Sequence, residues 1–327
     1  MSEQNAGRRD TPLITVLTLS YRSPDLHAAI RSALEQDYAR IQYILVDDGT
    51  EGFSEGDISE YIEARRNANV EEFLIIRNPE NLGTVRAANI GLQHARGEFI
   101  FNLAGDDVFA DPKVLSDWTD AFQRSGALVM TAYRDVYDEN MEHYLGRMPT
   151  ASQVKRIRRL PPAELFEETA KTNHAFGCCT ARSRQCLELY GNYDERYRLV
   201  EDHPMILRLL RQGAPLIFFD RVVVRYRNNG ASSPSRYNED YERDVDMIFQ
   251  NEVLPYTNRP ARMTRAHNKW KKKQQSAKRL YAKLQDPGVG AFRAARLKIR
   301  FYLHYPIDSF KGLIANPVKL KRLFRKT

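Results

Sequence analysis

Four short apolar runs, each followed by a different kind of segment, limit what this chain can fold into. The runs are Ile14–Leu19, Ile41–Val46, Phe73–Ile76 and Phe99–Leu103. After the first, Leu26, Ala29, Ile30, Ala33 and Leu34 fall on one helical face behind a start signal at Ser23–Asp25. Ile58–Ala68 reads as a second helix, and "NLGTVRAANIGLQHARG" as a loop leading into a third that stops near Gly97. Apolar runs without alternation suit strands buried on both faces, and intervening helices supply the crossovers that parallel strands require. The expected class is α/β, with a doubly wound, mostly parallel central sheet and flanking helices.

The pattern continues with a helix over Lys113–Arg124 and a strand over Leu128–Val136. Beyond Tyr137 it loosens. "PTASQVKRIRRLPPAELFEETAK" reads as a basic, Pro-marked connection into a helix over Ala163–Lys171. A short strand is expected over Phe176–Ala181, a helix over Glu201–Arg211 and a strand over Leu216–Tyr226. From Tyr237 the chain reads as mainly helical. Residues 1–12 read as a disordered lead, 13–236 as the α/β domain and 237–327 as a basic helical extension.

Charge separates that extension from the rest. Residues 261–327 hold 19 Lys and Arg against two acids, Asp286 and Asp308, a net +17. The first 260 residues hold 31 basic and 40 acidic groups, a net −9. Opposite balances in two parts of one chain imply different partners. No window has the apolar length of a membrane span, and "MSEQNAGRRDTP" has no apolar core of a signal peptide. The three cysteines, Cys178, Cys179 and Cys186, form no CxxC pair and read as packing residues of a reducing, cytoplasmic compartment.

Polar clusters follow three of the four apolar runs. They are Ser20-Tyr21-Arg22, Asp47-Asp48 and Asp106-Asp107. In open α/β sheets ligands bind beyond the carboxyl ends of the strands. Any one cluster could be a turn or a cap. Together they put four carboxylates along one sheet edge, where they repel unless a cation or hydrogen-bond donors offset them. Mg²⁺ is characteristically held by one or two carboxylates plus substrate phosphates. No GxxxxGK[ST] and no strand-linked GxGxxG occurs, which removes the main support for an ATPase or a dinucleotide enzyme. Arg86, in the first turn of the third helix, is placed to hold phosphate oxygens, or else is a solvated helix residue.

In this order, "TLSYRSPDLHAAIRSALEQDY", "ILVDDGT", "NLGTVRAANIGLQHARGEFI", "LAGDDVF" and "GNYDERYRLVEDHPMILRLLRQG" resemble glycosyltransferase family 2, with its inverting GT-A fold. The resemblance runs from about Leu13 to Ser233 and leaves out the basic extension. It implies a nucleotide-binding half, 13–110, and an acceptor-binding half, 111–236. It implies that Ser20 and Tyr21 line the nucleotide site, with Tyr21 stacked on the base and Asp48 accepting a hydrogen bond from it, as for uridine. Asp106 would bind ribose or assist the metal, and Asp107 would ligate Mn²⁺ or Mg²⁺ on the diphosphate. Asp202 would be the general base. His174, Glu201 and His203 would adjoin the acceptor, although His203 also reads as a solvent-facing residue at a helix start and Glu201 as a partner of that helix end.

This chain departs from the family pattern at Leu19-Ser20, where Pro-Thr is usual, and at Arg22, where Asn is usual. Ala104 replaces a first acid, and Ala88 replaces a frequent Arg. Asn228 and Asn229 stand where a His is often seen.

The activity this resemblance implies is transfer of a sugar from a nucleoside-diphosphate donor, UDP-linked by expectation, to a saccharide or lipid-linked saccharide. The setting would be surface polysaccharide assembly. A nucleotidyltransferase is an alternative, but it usually has a Gly-rich loop after the first strand, and "TLSYRSPD" has no glycine. A catalytically silent sugar- or polyanion-binding protein is another. "RAHNKWKKKQQSAKRLYAKL" and the segments after it interleave bases with apolar residues, as helices lying on an anionic membrane surface do. Nucleic acid is the competing polyanion, and packing against the acidic body the third reading.

Overall fold

Strand β1, Ile14–Ser20, lies between two parallel neighbours, and both pairings run level to its end. Ser20 faces Asp47 at the end of β2 (Ile41–Asp47), and Leu19 faces Ala104 at the end of β4 (Phe99–Ala104). β3, Val70–Arg77, is parallel to β2 and closes this side. The connecting helices are α1 (Leu26–Leu34), α2 (Glu55–Glu63) and α3 (Thr84–His94). These coordinates come from a computed structural model, which describes residues 11–228, 238–284, 286 and 289–304. Most of the expected disordered lead and the tail after 304 lie outside the described residues.

On the other side of β4 the sheet changes character. Its order is β3-β2-β1-β4-β8-β6-β9-β5, with β7 (Tyr144–Met148) on the outside of β6 (Val129–Tyr137). The short β8, Thr180–Ser183, runs antiparallel to both β4 and β6, and β9, Ile217–Arg227, runs parallel to β6. The two-residue β5, Val108–Phe109, follows Asp107 directly and pairs with the end of β9, Val108 facing Arg225. That pairing brings Asp106 and Asp107 beside Arg227.

Helices cover both faces. Phe101 packs edge-on against Trp118 of α4 (Val114–Ser125), with Phe122 behind them, in one fully buried cluster. Leu17, Ile44 and Val85 share the opposite cluster with Phe166 of α6 (Pro162–Thr169) and Leu207 of α8 (Asp202–Arg211). Burying a side chain such as Leu or Phe is worth about 1.5–3 kcal/mol, so these layers hold the sheet ends in place.

Two expectations are corrected. The basic stretch after Thr150 is a helix, α5 (Ala151–Arg159), because Thr150 and Gln153 form a reciprocal capping box and Val154 and Ile157 are buried. Phe176–Ala181 is not one strand. A 3₁₀ turn over Gly177–Cys179 comes first and β8 follows, leading into α7 (Arg184–Tyr190).

The C-terminal helices are α9 (Glu239–Ile248), running into a π turn at Phe249–Val253, then α10 (Pro260–Leu284) and α11 (Ala291–His304). Ile248, Phe249, Val253 and Met263 are buried in the same cluster as Leu207. No described helix is long and apolar enough to cross a membrane.

Candidate active site

The backbone gathers the strand ends into one cradle. Asp48 N–H donates to Ser20 O at 2.8 Å, Gly105 N–H to Leu19 O at 2.7 Å and Asn78 N–H to Asp47 O at 2.8 Å. Ser20 is buried here, while Tyr21 keeps 43% of its surface exposed at the rim. Arg22 stands at φ 50°, in the left-handed region that Asn tolerates better than most residues. Its backbone N–H is held by Thr50 Oγ1 at 2.9 Å.

Asp48 is fully engaged. Oδ1 accepts from Asn78 Nδ2 at 2.8 Å and Leu82 N at 3.0 Å; Oδ2 accepts from Asn81 Nδ2 at 3.0 Å and Gly83 N at 2.8 Å. These four donors fill about all the lone-pair sites of a carboxylate, so in this geometry Asp48 folds the 78–83 loop at the rim of the cradle. Gly83 makes that fold possible. It has φ 91°, and a Cβ there would collide with Arg198.

Asp106 and Asp107 differ. Asp107 is fully buried, and its Oδ1 accepts from Arg227 N at 2.8 Å. Its Oδ2 is buried without a partner. Burial, then the Asp106 charge and the nearby Cys178, push its carboxyl well above the ordinary range. Asp106 is half-buried and is also raised by burial, with Arg227 pulling the other way. Arg227 ties the region together, donating Nε to Asp106 O at 3.0 Å and its two Nη groups to Glu139 O and Asp25. An orphaned, buried carboxylate oxygen beside a second acid suits a hard divalent cation. Among the described residues no group of three or more His, Cys, Asp or Glu forms a closed metal cage. The donor set therefore fits an ion whose remaining ligands come from a substrate.

Asp202 opens α8. Its Oδ2 accepts from Asn173 Nδ2 at 3.0 Å and Gly177 N at 2.9 Å, and Oδ1 from His203 N at 2.6 Å. A Cβ on Gly177 would meet Glu201 Oε1 and displace that side chain. Burial, and next the Asp202 charge, push the Glu201 carboxyl up to about 8. His203 does not face solvent. It is half-buried, with Nε2 at 2.9 Å from Thr169 O as donor, and burial lowers its pKa. His174 is 2% exposed; Nδ1 donates to Thr172 O at 2.6 Å and Nε2 is buried without a partner. Burial holds this imidazole neutral too, by lowering its pKa.

The turn Gly177–Cys179 stands between the two carboxylate groups: Gly177 holds Asp202, and Cys178 lies near Asp107. Cys178 accepts from Arg134 Nη1 at 3.4 Å, and the Arg134 guanidinium sits 4.0 Å from the rings of both Phe176 and Tyr226. Arg134 is a cation of this region that motif reading did not single out; Arg227 belongs to the Tyr226-Arg227 pair after the last strand, to which that reading gave no role. Arg86 is elsewhere. It is exposed, 3.7 Å from Glu195, and lines a cleft with Arg196, Arg198 and Arg243.

Sheet order, level strand ends and the acidic cradle define a GT-A glycosyltransferase fold. The chain belongs to glycosyl transferase family 2, whose profile matches residues 15–191. It is 35% identical over 121 residues to an uncharacterized glycosyltransferase of Haemophilus influenzae, covering 37% of this chain and 46% of that one, so it spans just under half of that relative. It is 24% identical to a putative teichuronic acid biosynthesis glycosyltransferase, TuaG, of Bacillus subtilis, over 68% of this chain and 82% of that one. S. aureus TarS in complex with UDP-GlcNAc has a similar fold, with TM-score 0.56 and 16% identity over 78% of this chain and 70% of that one. So does the mannosyltransferase PcManGT of Pyrobaculum calidifontis with GDP-Man and Mn²⁺, with TM-score 0.53 and 15% identity over 94% and 86%.

Proposed function

We propose that this chain transfers a sugar, with inversion, from a nucleoside-diphosphate donor to a saccharide or lipid-linked saccharide. The observation that carries the reading is the buried, unpartnered Oδ2 of Asp107 beside Asp106, with Asp202 across the Gly177–Cys179 turn. The similar TarS binds UDP-GlcNAc, which favours a UDP-linked donor, and the likeness to TuaG favours surface polysaccharide as the setting.

Tyr21 presents an exposed ring for the base, and the loop folded by Asp48 shapes the pocket beside it. Asp107, with Asp106, would hold Mn²⁺ or Mg²⁺, whose chemistry when bound is to neutralise charge on the departing diphosphate. Asp202 takes the proton of the acceptor hydroxyl while that oxygen attacks the anomeric carbon. The bond from that carbon to the diphosphate oxygen breaks, and its electron pair leaves with the diphosphate. Asn173, Gly177 and the His203 N–H fix the Asp202 carboxylate for this step. Burial and the Asp202 charge raise the Glu201 carboxyl, which reduces any competing charge beside Asp202. Arg134, held against Cys178, is a fixed cation that acts on Asp107.

A thermal-shift screen of nucleotide sugars with and without Mn²⁺, followed by product analysis, tests this. A rise in melting temperature with a UDP-sugar that depends on Mn²⁺ is expected. No response to any nucleotide would refute the reading.

A further inference from the structure

The C-terminal helices divide the basic extension into a docked part and an outward part. Early in α10, Met263 is buried and the His267 ring stacks on Phe249 at 3.9 Å. His267 and Lys271 both reach Asp246 of α9, at 2.8 and 2.6 Å. Packing on the acidic body therefore accounts for this end of α10. Farther along, α10 and α11 form an apolar cluster of their own, with Leu284, Val289 and Ala294 buried and Leu280 and Leu297 packed on it.

That cluster sets the orientation of α11. Ala294 and Leu297 point inward to α10. Phe292 and Ile299 are seven residues apart, so they share one helical face, on the far side from Ala294 and Leu297. Phe292 is 85% exposed and Ile299 37% exposed. Arg293, Arg296 and Arg300 are exposed beside them and make no ion pair among the described residues. Residues 260–304 hold 13 Lys and Arg against the one acid Asp286, and residues 305–327 add six against Asp308.

We propose that this face of α11 docks on an anionic lipid surface, with Phe292 and Ile299 inserted among the acyl chains and Arg293, Arg296 and Arg300 at the headgroups. Apolar burial together with attraction to anionic headgroups is the pairing that interfacial helices use. A nucleic acid would engage the arginines but give Ile299 no partner. A second copy of the same face would be repelled by its charge. The inference rests on α11 alone and stands apart from the sugar-transfer reading.

The test is co-sedimentation of the full chain with phosphatidylcholine vesicles, with and without phosphatidylglycerol. Binding to the anionic vesicles and little to the zwitterionic ones is expected. The double variant Phe292→Ser with Ile299→Ser should lose about tenfold in partition, and Arg293→Glu with Arg296→Glu and Arg300→Glu at least as much. Neither variant touches Ala294 or Leu297, and circular dichroism confirms that the helices persist. Failure of the full chain to bind anionic vesicles overturns the proposal, as do two variants that bind like the parent. So does retention of a DNA duplex that depends on the arginines, without any vesicle binding. UDP titration of the same samples reports on the sugar-transfer reading separately.

Discussion

One carboxylate oxygen of Asp244 accepts the backbone N–H of Arg198 at 2.8 Å. The same oxygen receives Leu199 N at 2.6 Å and Val200 N at 3.2 Å. Arg198 in turn donates Nη2 to Asn81 O at 2.9 Å and to its Oδ1 at 2.6 Å, while its carbonyl accepts from Val85 N at 3.1 Å. Helix α9 thus fixes the segment leading to Asp202, and that segment braces the loop folded by Asp48. Both residues lie beyond the 15–191 stretch matched by the family profile. Asp244→Ala strands three donors, and a cost of about 3 kcal/mol is expected; Asp244→Asn, which keeps an acceptor oxygen, should cost about 1 kcal/mol. Urea denaturation measures both. An alanine variant with an unchanged midpoint would remove Asp244 from this role.

Asp107→Asn should separate stability from function. The Asn retains an acceptor for Arg227 N–H, while the buried, unpartnered position beside Asp106 can no longer carry a charge. Without metal, the variant is expected to melt a few degrees higher, from a gain of about 1 kcal/mol. Its Mn²⁺-dependent UDP binding should be lost. Calorimetric titration with UDP, with and without Mn²⁺, checks this, and unaltered metal dependence would rule Asp107 out as the ligand.

Asp202→Asn should leave the donor side intact. The substitution keeps one acceptor oxygen for Gly177 N–H or His203 N–H but cannot take a proton from a hydroxyl. A fall in kcat of about 10²–10⁴-fold is expected, the usual contribution of general acid–base catalysis. UDP affinity should stay within about twofold of the parent, because Tyr21, Asp106 and Asp107 are untouched. Steady-state kinetics beside UDP titration distinguishes the outcomes. Transfer at the parental rate would exclude Asp202 as the base.

What could be read from the residues alone was local or periodic. The unbroken apolar character that marks β1, β2 and β4 is set by burial on both faces, so the runs Ile14–Leu19, Ile41–Val46 and Phe99–Leu103 fall inside observed strands. The Thr150–Gln153 capping box was also present in the sequence, but the prolines at 149, 161 and 162 masked the helix between them. At Asp48 a carboxylate at a strand end was legible, and its four donors from residues 78–83 were not. Arg134 and Asp244 belong to no short motif, and the motif segments that hold Arg198 and Arg227 do not say what those side chains touch. Their partners are long-range: Arg227 reaches Asp25 across 202 positions, and no spacing rule encodes such a pairing. His203 faces inward because Thr169 O lies at the end of α6, which only the packing of α6 on α8 brings there.

The last prediction concerns Glu201 and pH. Its carboxyl sits near 8 in the fold, against an ordinary value of 4.5, because of burial first and the charge of Asp202 second. The folded state therefore binds a proton that the unfolded chain has released over the window from about 4.5 to about 8. Its contribution to stability is complete below that window and declines as pH rises through it. His174 and His203 act with the opposite sign: burial lowers their pKa, so they weaken the fold as pH drops below the ordinary histidine range. Comparing the parent with Glu201→Gln cancels the histidines and isolates Glu201. Gln copies the shape of the protonated carboxyl and does not titrate. The two proteins are expected to have similar melting temperatures near pH 5. The variant should then gain on the parent as pH rises, with the difference levelling off above about 8. Melting curves across that range measure it. A difference that stays flat with pH would show that Glu201 is ionised in the fold.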